Sequence, residues 1–317
     1  MEAARVRKPA SLPSRVQIGL IFTLLLLAAV AWALTDDRMR GMDAGPATDP
    51  GALGFWLTAW VVMMAAMMFP SIAPMVMMFA RIQEGKRERG DAVPFGTTTL
   101  FIAGYLLTWS TAGMVGYVVI EAGRALDPGF LAWDAAGPYV AGGVIVAAAL
   151  YQLTPLKDAC LRRCRGPLEF LLHAWRPGRA GALRMGVEHG AWCVGCCWAL
   201  MAALIALGVM SIGWMVFIAA LIAIEKLLPW KAIANRGIAV LLLVLGLSVA
   251  FLPGDVPGLT TPDSPEAMRA MEAMEGMAPA GGAGMTDEMG AGKESMGGAN
   301  ESMGGAEKPM GHGMPQE

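Results

Sequence analysis

Residues 191–229 are apolar almost throughout, with Glu225-Lys226 near the far end. As one helix this stretch would be nearly 60 Å long at ~1.5 Å per residue, about twice the hydrocarbon core of a bilayer. We therefore divide it into two spans at Ser211-Ile212-Gly213. Further apolar runs cover 16–34, 54–80, 95–121, 138–156 and 237–252. The chain is 56% hydrophobic and 16% charged, a membrane-protein balance. Together these features predict an all-α polytopic bundle of about seven transmembrane helices over residues 1–253. A Met/Gly/Glu-rich tail over 254–317 has no core-forming pattern and reads as disordered. The first run contains Ala31-Trp-Ala33, which resembles a signal cleavage site. It is long for a signal peptide and reads as a retained helix. Pro70 and Pro74 are expected to kink the second span. Residues 168–175 read as a short interfacial helix inside the longest connection, 157–189.

Basic residues orient the bundle. With the N-terminus in the cytoplasm, the inner segments carry 18 Lys/Arg and the outer loops carry 3, namely Arg38, Arg40 and Arg124. That bias predicts an N-in, seven-span topology with the tail on the periplasmic side of a cytoplasmic membrane. The basic residues sit in short loops between apolar runs, so they argue topology and not nucleic-acid binding. No G-x-G-x-x-G, P-loop, G-x-S-x-G or H-E-x-x-H motif is present, and no catalytic group is assigned.

The chemistry concentrates in thiols. His189, Cys193, Cys196 and Cys197 lie within nine residues, and Cys160 and Cys164 form the other cysteine pair. On a helix, His189, Cys193 and Cys197 share a stripe at i, i+4, i+8; Cys160 and Cys164 are also i, i+4. The seven-span topology places both stripes at the inner ends of spans four and five. One or two such cysteines would be ordinary packing. Five at one depth beside a histidine predict a soft-metal site, for which thiolates select Cu(I), Zn or iron–sulfur clusters. A redox dithiol at Cys193/Cys196, with C-x-x-C spacing, stays open.

Met63, Met64, Met67 and Met68 form two i, i+4 pairs mid-span. Thioethers are neutral, carry no charge penalty in a bilayer, and bind Cu(I), though methionine is also a common packing residue. The tail adds ten methionines and His312, a composition suited to weak Cu(I) capture. Glu225-Lys226 reads as an interfacial pair with Lys226 snorkelling, and His173 as a solvated or capping residue.

Four blocks carry a resemblance. They are Trp60-Val-Val-Met-Met-Ala-Ala-Met-Met-Phe-Pro70; Tyr151-Gln-Leu-Thr-Pro-Leu-Lys157 with Cys160 and Cys164-Arg-Gly-Pro167; His189-Gly with Cys193-Val-Gly-Cys196-Cys197-Trp-Ala-Leu-Met201; and Glu225-Lys226. In this order the chain resembles a bacterial family of predicted metal-binding integral membrane proteins. The resemblance spans roughly residues 55–250 and implies an inner-membrane protein with the Cys/His residues as ligands. The tail lies outside it. The arrangement of membrane methionines with an external methionine-rich segment is also similar to that of high-affinity copper uptake transporters.

The expected function is inner-membrane binding and transport or delivery of a soft metal. Cu(I) leads, with Zn or iron as other candidates. The expected partners are the bilayer, the ion and a periplasmic or membrane metalloprotein. Two alternatives remain: a membrane thiol oxidoreductase, and a non-transporting assembly factor that loads a membrane enzyme.

Overall fold

The computed structural model describes residues 15–39, 43, 50–126, 129, 133–228, 230–261, 264–265, 267–269 and 272. Among these there is no strand. The helices are α1 (Arg15–Met39), α2 (Leu53–Glu88), α3 (Thr97–Leu126), α4 (Gly137–Tyr151), α5 (Pro155–Arg165), α6 (Pro167–Ala174), α7 (Gly178–Gly208), α8 (Ile212–Leu227) and α9 (Lys231–Phe251). Five of them, α1, α2, α3, α7 and α9, are long and apolar enough to cross a membrane. A sixth crossing results if α4 and α5, bent by 69° at their junction, count as one. The α8 helix is apolar but has only 16 residues, about 24 Å. The seven expected apolar segments are thus all helical, and α4 and α8 are shorter than a full span.

Helix α7 is central and packs on α3, α4, α5 and α8, while α1 packs on α2 and α4 on α9. The α3–α7 crossing is close because glycines line it. A Cβ at Gly186 would collide with the Phe101 carbonyl, and one at Gly104 with the Leu183 carbonyl. Small residues let helix backbones approach in this way. The crossing sets Phe101 and Tyr105 of α3 against the middle of α7.

Three expectations change. The 157–189 connection is not a loop: it contains α5, α6 and the first third of α7. Hydropathy misses this stretch because its outer face is charged, with Arg176 and Arg184 both paired to Glu188. Its inner face, Gly181, Ala182, Met185 and Gly186, is buried. Cys193 therefore lies mid-helix and not at a helix end. Helix α2 runs on through Pro70 and Pro74 to Glu88, so the expected loop after residue 80 is largely helical. Packing also continues past residue 253. Val256 is buried, Leu259 packs on the core, and Trp214 Nε1 donates to the Gly258 carbonyl at 2.9 Å. Residues 273–317, with most of the tail methionines and His312, lie outside the described residues.

Candidate metal centre

Thr154 starts α5: its hydroxyl accepts from the Lys157 amide, and Pro155 occupies the first turn. The 69° bend at this junction folds α5 back across α7. Glycine at position 195 permits the contact, because a Cβ there would stand 2.9 Å from Cys160 Sγ. Tyr151 adds a hydrogen bond to the Gly195 carbonyl at 2.6 Å. One turn beyond Cys160, Cys164 then meets the thiol face of α7.

The sulfurs of Cys164, Cys193 and Cys196 all lie within 4.8 Å of one another. Cys197 Sγ is 3.4 Å from Cys196 Sγ and extends the group. All five cysteines are free; Cys160, Cys193, Cys196 and Cys197 are buried, and Cys164 is half-buried. Three sulfurs bound to one ion at roughly 2.3 Å would stand about 4 Å apart, so this spacing fits a single soft ion with side-chain adjustments only. Cys160 is not in the group of three; its sulfur is turned to Gly195. His189 is buried one turn before Cys193 among the rings of Phe101, Tyr105 and Phe170, with centroids at 6.0, 6.0 and 5.3 Å. Its Nδ1 has no hydrogen-bond partner, a rare condition for a buried polar atom.

The surroundings are charged, which sequence reasoning underestimated. Lys226 does not snorkel. Its ammonium lies 3.0 Å from Cys193 Sγ, 3.4 Å from Ser71 Oγ and 3.9 Å from Met68 Sδ. The Tyr105 hydroxyl is 3.1 Å from Cys193 Sγ. Glu225 pairs not with its neighbour but with Lys157, whose ammonium reaches both carboxylate oxygens at 2.9 and 2.8 Å. Both side chains are fully buried. Lys157 also donates to the Cys196 carbonyl. Arg165 donates to the Glu225 carbonyl at 2.9 Å and to that of Leu228. One ion pair thereby ties together α5, α7 and α8, the helices that carry Cys164, the α7 thiols and Lys226. Lys157 entered the sequence reading only as a topological charge. The available signal was that it lies in one of the four blocks that carry the resemblance, with Glu225-Lys226 in another.

Met63, Met64, Met67 and Met68 are all buried on α2. Of the four, Met68 reaches the thiol centre, through Lys226. His173 is exposed and bonds the Glu169 carbonyl through Nδ1 at 2.8 Å, apart from the thiols.

No curated protein and no solved structure matches the chain. A family model described as PpoB2, copper chaperone, matches residues 57–249, more than half of the sequence and a stretch that includes every cysteine and α2 methionine discussed above. The chain belongs to the PpoB2 copper chaperone family.

Proposed function

We propose that this chain is a membrane-embedded chaperone that holds Cu(I) on the thiols of Cys164, Cys193 and Cys196 and passes it to a metalloprotein. The observation that carries this reading is the three-sulfur cluster within 4.8 Å. Converging soft sulfurs, with the thioether of Met68 on the far side of Lys226, favour Cu(I). Lys157 and Glu225 cancel one another, leaving Lys226 as the positive charge against the thiols. Its ammonium offsets part of the thiolate charge, as a buried site requires. Cys197 and His189 complete the candidate ligand set, and Cys160 packs behind it.

Release occurs by ligand exchange. Cys164 is the half-buried member of the group, so an incoming donor reaches the ion from its side. One copper–sulfur bond breaks as the new one forms, and copper stays Cu(I). The basic segments still favour a cytoplasmic N-terminus and a tail on the opposite side of a bacterial inner membrane. There the tail methionines would collect the ion, and the α2 methionines would lead it inward. Delivery is favoured over thiol oxidoreduction because Cys193, Cys196 and Cys197 are fully buried, away from any exchanging dithiol.

The test is Cu(I) content of protein purified anaerobically in mild detergent, with a competing Cu(I) chelator and sulfur-ligand X-ray absorption. One tightly bound ion with an all-sulfur shell is expected, and it should transfer to an apo-cuproprotein on mixing. A shell dominated by oxygen or nitrogen would sink the reading.

A further inference from the structure

Away from the thiols, the end of α1, the first turns of α2 and the α7–α8 turn enclose a small cavity. It is lined chiefly by Met39, Met63, Met210, Trp56 and Trp60, and its volume is about 10 Å³. That is close to the least space one water needs, so it admits a single ion and no organic ligand. The three methionines are buried, at 5%, 0% and 3% exposure, and come from three separate segments of the chain. No charged side chain lines the cavity.

The indoles are held in place. Trp56 Nε1 donates to the Gly113 carbonyl and Trp60 Nε1 to the Trp109 carbonyl, each at 2.9 Å. The two rings stack with centroids 5.6 Å apart. With their N–H groups spent on α3, the indoles present no polar hydrogen to the cavity. Thioethers and indole faces share one property: both attract a soft cation without carrying charge. Aliphatic side chains would fill this volume equally well if packing were the only demand.

We propose that Met39, Met63 and Met210 form a second, thioether-only site for a soft monovalent cation, walled by Trp56 and Trp60, at which Cu(I) binds before it reaches the thiols. The identity of the ion rests on the function proposed above; the site itself is separate. Cys193 lies about 22 Å along α7 before the α7–α8 turn. Met63 to Met68 covers about 7.5 Å of α2, with Met64 and Met67 between, all buried. Met68 Sδ is 3.9 Å from Lys226 Nζ, which stands beside Cys193. Each transfer replaces one thioether by the next, and neither a proton nor an electron moves.

The experiment uses the full chain in detergent, with Ag(I) as a redox-inert stand-in for Cu(I). A background with Cys164, Cys193, Cys196 and Cys197 all changed to serine silences the thiol centre. The 254–317 tail contains no tryptophan, so tryptophan emission does not report on its methionines. Ag(I) should quench part of the emission saturably, whereas K⁺ and Zn²⁺ should not. Met39→Leu with Met210→Leu should abolish the quenching, and so should Trp56→Phe with Trp60→Phe. The leucine changes nearly conserve volume, so the near-ultraviolet circular dichroism should be unchanged. If the double variant fails to fold, Met210→Leu alone must weaken the Ag(I) midpoint. Quenching that survives the loss of Met39 and Met210 sulfur, or an unchanged midpoint in Met210→Leu, overturns the site. Absence of Cu(I) from the thiols with this quenching intact would instead sink the function proposed for the thiol centre and leave the cavity site standing.

Discussion

The thiol centre and the cavity at Met63 are both buried and both lined with sulfur, yet charge surrounds only one of them. At the thiols, Lys226 stands 3.0 Å from Cys193 Sγ and a fully buried Lys157–Glu225 pair braces the helices. Around Met63 and its cavity, the lining is apolar and aromatic. The difference follows from ligand chemistry. A thiol must lose its proton to bind metal tightly, and the resulting buried negative charge needs a partner. A thioether binds as a neutral group and needs none. On the proposed reading, charge placement would separate a tight site from a weak one in the same bundle, and each variant attacks one side of that contrast.

The largest effect should come from Cys193→Ser. Cys193 belongs to the three-sulfur group and also meets Tyr105 and Lys226, so its loss should abolish stoichiometric Cu(I) binding in a chelator competition. Retention of one tight ion would show that the other thiols suffice. Binding by the wild type should also weaken on acidification, because protons compete with the ion for sulfur. A pH-independent affinity would break the contrast with the neutral thioethers.

Next is Glu225→Gln. It leaves the Lys157 ammonium buried beside a neutral amide, and breaking a buried pair on one side costs about 3–5 kcal/mol. Thermal unfolding in detergent should show a large drop. Lys157→Met combined with Glu225→Leu should recover much of that stability, since replacing both members of a buried pair by apolar groups is often near neutral. It should not recover copper affinity, because the brace between α5, α7 and α8 is gone. Full recovery of both would reduce the pair to packing.

How much of this was legible in the sequence depends on what signal each part leaves. Hydropathy exposed every long apolar helix, and the i, i+4 cysteine spacing pointed to the thiols before their geometry was known. Two things stayed hidden. The start of α7 at Gly178 is carried by glycine packing against α3, with arginines outward, and a hydropathy window reads that as loop. The Lys157–Glu225 pair joins residues far apart in sequence, and a lysine at the end of an apolar run reads as a topological charge until the α4–α5 bend turns it inward. Met39 and Met210 gave no periodic signal, since they sit at a helix end and in a turn.

A smaller effect is expected from Lys226→Met. It removes the ammonium beside Cys193 and leaves the buried thiolate charge less compensated. Outer partners of metal ligands typically contribute 10–100-fold in affinity, so a loss of roughly that size should appear in the same chelator competition. Lys226→Arg should restore most of it by returning the charge. An unchanged affinity in Lys226→Met would mean that the buried charge has no part in copper binding.

The smallest effect should come from Met67→Leu, and here the prediction is of near silence at one site and a defect at another step. Met67 is buried on α2, one residue before Met68 at the end of the Met63–Met68 series. Leucine nearly conserves its volume, so stability should change by less than about 1.5 kcal/mol. Equilibrium Cu(I) affinity at the thiols should be unchanged, because no ligand or counter-charge is removed. The rate at which Cu(I) reaches the thiols should fall, because a thioether step between Met63 and Met68 has been lost. Stopped-flow mixing with a Cu(I) donor reads that rate separately from the endpoint. A slower approach to the same endpoint supports a methionine path. An equal rate with an equal endpoint would assign Met67 to packing and leave the thiol centre to be reached by another route.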